Sequence, residues 1–258
     1  MKPKKLTVQS WLLAAILLIG WNPAAMAADP WGALWDQFQS HNPAPIVKPL
    51  ATKVKIPSGQ KIDPWAELQA IFVPFTPQEE EKAQTNPLVR KKVAAKLNHS
   101  LAPHRKLIHE ASALFNVPAA VIAAVIMVES GGNPHAAAQT SSAKGLMQTI
   151  DTTFAEARQA LPAQGINIVN NPFNPRASIM AGTWYLDQMY RQVIHDRGEV
   201  LQRNSITSWR LPTEYYYAGP GHGRKRSQVV MIYAGGKQIR VDKSGYSSKV
   251  LRWAHILG

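Results

Sequence analysis

The chain has 258 residues, 45% of them hydrophobic, a net charge of +13 and no cysteine. Without thiols it can form neither disulfides nor a thiolate metal site, and no lipid-bearing cysteine can tether it. Basic chains attract polyanions, but aromatic residues do not alternate with the charges as in a single-strand binder, so nucleic acid is not an expected partner.

Residues 1–27 have the parts of an export signal. Lys2, Lys4 and Lys5 form a basic head, Trp11 to Gly20 an apolar run, and Ala25-Met26-Ala27 a small-x-small cleavage pattern. The run is short for a bilayer span. A cleaved signal, a periplasmic destination and no stable membrane anchor are therefore expected.

Residues 28–102 read as a poorly ordered, Pro-rich extension, with prolines at 43, 45, 49, 57, 64, 74, 77 and 87. No apolar periodicity lasts long enough there to offset the entropy of ordering. Within it, Asp29-Pro30-Trp31 is echoed by Asp63-Pro64-Trp65 in a shared D-P-W-x-x-L-x-x-x-F pattern. Asp can cap a helix and Pro suits the next position. Trp, Leu and Phe then share one face. Two short amphipathic helices on tethers are predicted. Residues 29–72 would dock them on a partner protein or on the chain's own globular part.

Residues 103–258 read as one globular, mostly helical domain, and carry seventeen Lys/Arg against nine Asp/Glu. Arg105 to Phe115 is amphipathic, with Leu107, Ile108, Ala111 and Leu114 or Phe115 on one side. From Pro118 to Ser130 every side is apolar until Glu129, so this helix is expected to be buried. Pro118 suits the first helical position and Gly131-Gly132 the stop. Glu129 then lies where a core helix meets an open loop. Desolvation and the negative end of the helix dipole both favour the protonated carboxyl there, which suits a general acid. A helix is predicted from near Asp151 to about Ala160 and another from Ala177 to Val193. Tyr215 to Gly221 interrupts the pattern. Val229 to Tyr233 can pair with Gln238 to Val241 across Gly235-Gly236 as a hairpin. A helix from Ser247 to Leu257 ends the chain. The eight histidines show no paired ligand spacing, so no metal and no cofactor are expected.

Three segments carry a resemblance: Glu129-Ser130-Gly131-Gly132-Asn133-Pro134, Gly145-Leu146-Met147-Gln148, and Tyr216-Tyr217-Ala218-Gly219-Pro220-Gly221. In this order they resemble the signature segments of the soluble lytic transglycosylase (SLT) family, over about residues 103–258. Arg176 to Leu186 also looks like the family's helix ending in Gly-x-x-Tyr-Leu. The resemblance implies a mainly α, goose-type lysozyme-like catalytic domain, here with a small β-hairpin and preceded by the extension. It implies a monomeric enzyme acting on peptidoglycan glycan strands between N-acetylmuramic acid and N-acetylglucosamine, forming a 1,6-anhydro end without water. Glu129 would be the one catalytic carboxyl group, acid first and base second. One carboxyl suffices when the sugar's own C6 hydroxyl attacks, whereas ordinary glycosidases need two.

By the same resemblance, Gly145, Leu146, Met147 and Gln148 would line the sugar cleft. From the residues alone, Leu146 and Met147 could equally be core, with only Gln148 facing substrate. Tyr216 would place its hydroxyl near the glutamate, with Tyr217 beside it at the cleft. The chain departs from the family at Tyr217 and at Ser178, where Asn is usual. The loop from Glu129 to Gln148 is one residue longer, leaving Ser141, Ser142 or Gln139 in the place of the usual loop serine. His222 and Arg224-Lys225-Arg226 either meet substrate carboxylates or form a solvated charge run. A lysozyme-like hydrolase and a degenerate peptidoglycan-binding module are the alternative readings.

Overall fold

A computed structural model of the protein describes residues 77–139, 141–234 and 237–258. The export signal and both D-P-W segments lie outside them. Two helices come first, α1 (Pro77–Thr85) and α2 (Pro87–Leu101). These residues were expected to belong to the extension, and the structure corrects that boundary. Pro77 and Pro87 start helices rather than break them. Asn86 caps α2, its Oδ1 accepting from Leu88 N at 3.0 Å and Val89 N at 3.3 Å, and Pro87 sits at the position that needs no N–H. Val93, Leu97 and Leu101, four residues apart, are buried in the common core.

Helix α3 (Arg105–Phe115) buries Ile108, Ala111 and Phe115 and leaves Leu114 half exposed. Helix α4 (Ala119–Ser130) buries every residue from Val121 to Ser130. A helix apolar all round can only be stable when wrapped by other elements, and α3 lies against it. Pro118 is its N-cap, one residue outside the expected place, and Gly131 ends it in the left-handed conformation at φ 61°.

Helix α5 (Asp151–Ala160) follows the site loop. Its start is closed by Ser142, whose Oγ accepts from Asp151 N at 3.1 Å. Helix α6 (Pro175–Arg197) is longer at both ends than expected and is capped by Asn174 Oδ1, which accepts from Ala177 N at 3.0 Å. It packs against α3 and α5, and Arg176 reaches across to Glu110 at 2.7 Å.

Helix α7 (Arg210–Gly223) holds Tyr215, Tyr216 and Tyr217 in helical geometry. The break comes later, at Gly219 (φ 73°, ψ 159°), just before Pro220. The predicted hairpin is present. Strands β1 (Val229–Ala234) and β2 (Lys237–Asp242) run antiparallel, and Val230 faces Val241 on the buried side. The last helix, α8 (Lys243–Leu257), starts four residues before the expected Ser247 because Asp242 caps it, Oδ1 accepting from Gly245 N at 2.9 Å. Helix α8 packs on α4, α7 and α2. It also holds the first two helices: Arg252 pairs with Glu80 at 2.7 Å and the Arg90 guanidinium donates to the His255 carbonyl. The architecture is thus mainly α with one small hairpin. No helix among the described residues is long and apolar enough to cross a membrane.

Candidate active site

Glu129 lies in the last turn of α4 and is 4% exposed. Its carboxyl is met by a residue far along the chain: Tyr246 Oη donates to Glu129 Oε1 at 2.5 Å. Ser130 anchors the same helix end to the site loop, its Oγ 2.8 Å from the Leu146 carbonyl and 3.0 Å from that of Ile126.

Tyr216 lies near enough to Glu129 to feel its charge, as expected, but its hydrogen bond goes elsewhere. Its hydroxyl donates to the Met147 carbonyl at 2.6 Å, tying α7 to the loop. Burial pushes the Tyr216 and Tyr246 phenols well above the ordinary tyrosine range, and the nearby Glu129 charge pushes the same way. Both remain hydrogen-bond donors throughout neutral and mildly alkaline pH. The Tyr185 ring tilts against Tyr216, centroids 5.3 Å apart, and its phenol is raised too, by burial first and the Glu156 charge second. Tyr217 lies parallel to Tyr246, with centroids 4.3 Å apart and ring planes within 1°.

The loop opposite is fixed by lack of room. Gly145 has φ +77°, and a Cβ there would fall 2.1 Å from the Pro172 carbonyl oxygen and 2.6 Å from Ser178 Oγ; only glycine fits. A Cβ on Gly182 of α6 would meet the Met147 side chain at 2.5 Å. Ser178, in the place of the family's usual Asn, accepts from Met147 N at 3.2 Å through its hydroxyl. It therefore supports the loop backbone.

The structure puts Leu146 and Met147 wholly in the core, so their side chains form no cleft wall. Gln148 is 6% exposed and adopts φ 46°, unusual for a residue with a Cβ. Its Nε2 donates to the carbonyls of Gly145 at 2.8 Å and Ala136 at 3.0 Å. Its Oε1 is buried without a hydrogen-bond partner among the described residues. The three loop-serine candidates have local duties or none in the site. Ser142 caps α5, Ser141 Oγ accepts from Ala143 N at 3.3 Å, and Gln139 is exposed.

Arg224, Lys225 and Arg226 are exposed, so this charge run meets solvent. The backbone beside it is used from within. Lys243, 1% exposed, donates through Nζ to the carbonyls of His222 (3.1 Å), Gly223 (3.2 Å) and Lys225 (2.7 Å). Three donors meet three acceptors at the end of α7, the end a cation stabilises. Burial lowers the pKa of this ammonium, opposed by the Glu214 charge. Among the described residues no group of three or more His, Asp or Glu is placed to hold a metal ion.

Reasoning from sequence did not single out Tyr246 or Lys243. The signal for both was Asp242, a helix cap three residues before a glycine, which starts α8 early enough to include them.

Residues 106–247 match the transglycosylase SLT domain family, and the chain belongs to it. No curated protein sequence matches the chain. Among solved structures, it is similar to an inactive mutant of the lytic transglycosylase Slt from Pseudomonas aeruginosa, with 22% identity and a TM-score of 0.44. That match covers 60% of this chain and 24% of the other, so the chain spans about a quarter of that protein's length.

Proposed function

We propose that the protein is an exported peptidoglycan lytic transglycosylase that cleaves glycan strands between N-acetylmuramic acid and N-acetylglucosamine. The observation that carries this reading is a buried Glu129, at the end of an apolar helix, with a phenol donor on its Oε1. Glu129 gives its proton to the glycosidic oxygen as the bond from that oxygen to C1 breaks. Its carboxylate then takes the proton of the muramic C6 hydroxyl as that oxygen bonds C1. The products are a 1,6-anhydro-muramic end and a free 4-hydroxyl, and no water is consumed. Burial and the helix C-terminus oppose a charge on Glu129 and so suit the first step, whereas the Tyr246 donor stabilises the carboxylate that the second step needs. Tyr246, held neutral by burial and by Glu129 itself, can donate to the carboxyl group in both steps.

On this reading, the chain acts outside the cytoplasm, and its basic extension with the D-P-W segments directs it to a protein partner. A specialised wall-opening enzyme for a secretion, pilus or conjugation system fits that organisation. Digestion of purified sacculi followed by mass spectrometry of the muropeptides is the test. Anhydro ends from the wild type, lowered by about 10²–10⁴-fold in Glu129→Gln, are expected. Reducing ends carrying solvent oxygen would make the protein a hydrolase, and binding without release in both proteins would make it a wall-binding module.

A further inference from the structure

Tyr246 meets Glu129 from the first turn of α8, where a helix is held least by its own hydrogen bonds. The torsion that sets the plane of a tyrosine ring is broad and has no sharp staggered wells. The oxygen lies on the axis of that torsion, but conjugation keeps the O–H bond near the ring plane, so a phenol that must keep its proton aimed at one carboxylate oxygen needs an outside constraint on its ring. In this chain the constraint is Tyr217. Its ring covers that of Tyr246 with planes parallel to 1° and centroids 4.3 Å apart. Helix rotation separates it from its neighbour: Tyr216 reaches the Met147 carbonyl and the Tyr185 ring, while Tyr217 reaches Tyr246. An asparagine, usual in the family at this position, has no ring to stack.

We infer that Tyr217 is a positioning residue for the acid, acting through Tyr246: the Tyr217 ring fixes the plane of the Tyr246 phenol, and the phenol fixes the Glu129 carboxyl. The departure from the family's Asn then exchanges an amide for an aromatic clamp. Helix α7 supplies one half of the clamp and α8 the other, so the site depends on how these two helices pack. Lys243 fastens the same two helices three residues before Tyr246.

This inference rests on the reading of Glu129 as the acid, and the experiment separates the two. Full-length wild type, Tyr217→Phe, Tyr217→Leu and Tyr217→Asn are compared in kcat and KM on sacculi, in thermal melting, and in the NMR shifts of the Tyr246 ring protons. Phe keeps the ring: kcat should stay within about threefold of wild type, and the upfield ring-current shift of Tyr246 should persist. Leu and Asn remove the ring: kcat should fall about tenfold, about 1.4 kcal/mol, with KM within about twofold and the Tyr246 shift lost. Any of several outcomes overturns the inference. They are Leu and Asn at wild-type kcat, a loss confined to KM (which would make Tyr217 a sugar platform), or Tyr246 resonances that do not move. Loss of the native melt in both Leu and Asn also overturns it, because the ring would then hold the fold and not the phenol. If wild type and Glu129→Gln are equally inactive, the acid reading falls, and the NMR comparison alone decides whether Tyr217 positions Tyr246.

Discussion

The Gly145–Gln148 loop and the tyrosines of α7 and α8 approach the end of the Glu129 helix from different parts of the chain, and they are held in place differently. The loop has almost no freedom. Gly145 is enclosed by the Pro172 carbonyl and Ser178, Met147 by Gly182, and the backbone is tied by Ser178, Ser130 and Tyr216. The tyrosines have no such enclosure. They are placed by two short hydrogen bonds, Tyr246 to Glu129 and Tyr216 to the Met147 carbonyl, and by ring contacts between helices. Exclusion fixes the loop absolutely but allows no adjustment. Contact fixes the tyrosines only as well as α7 and α8 pack, and so leaves this side open to substitution. The departure at Tyr217 falls on the adjustable side, and that at Ser178 keeps a hydrogen bond to the rigid one.

Three measurements can break or sharpen that contrast. The largest effect should come from Gly145→Ala, which combines a left-handed backbone with a Cβ that has nowhere to go. A loss of about 2–4 kcal/mol in urea unfolding is expected, and a loss below 1 would mean the loop can yield. Tyr246→Phe should leave the melt nearly unchanged but slow catalysis by roughly 10–100-fold, corresponding to a hydrogen bond to a charged group of about 1.5–3 kcal/mol. Wild-type turnover would show that the phenol is a bystander. The smallest effect is alkaline. Tyr216 and Tyr246 are raised in the folded protein, so their contribution is fully present below the unfolded tyrosine pKa of about 10 and is lost as pH rises towards the folded values. Urea unfolding should therefore show lower stability at about pH 11 than at about pH 9. Tyrosinate absorbance should show these two phenols ionising only as the protein unfolds, and early titration of all seven would contradict their burial.

How far the sequence was legible follows the same division. The rigid side was readable because its causes are local. An apolar helix stopped by Gly131, and a glycine followed by Leu146-Met147-Gln148, announce themselves within a few residues. The hairpin and the long α6 were readable for the same reason. Tyr246 was not, because its partner lies 117 residues away in the chain and its own helix was expected to start at Ser247. Helices α1 and α2 were missed through a misread cause. Their prolines, counted as signs of disorder, occupy the helix positions where proline is tolerated, and charged neighbours masked the Val93, Leu97, Leu101 stripe. The detailed duties of Tyr216, Gln148 and Ser178 are set by the fold, since a residue type specifies what can be bonded but not which carbonyl is within reach.

Lys243 has a consequence for how this part of the chain can vary. The strand pair Val229–Asp242 leaves α7 and returns to α8 through one neck. Lys243 closes that neck with its ammonium on the carbonyls of His222, Gly223 and Lys225, and with its backbone N–H on that of Gln228 at 2.9 Å. Whatever lies beyond the neck hangs from a fixed base. Residues could be added to or removed from the hairpin at the small entropic cost of a longer loop, and the neighbouring tyrosines would keep their places. The ribbon is thus a natural graft point, where a lineage could change what the molecule touches without altering the carboxyl it serves.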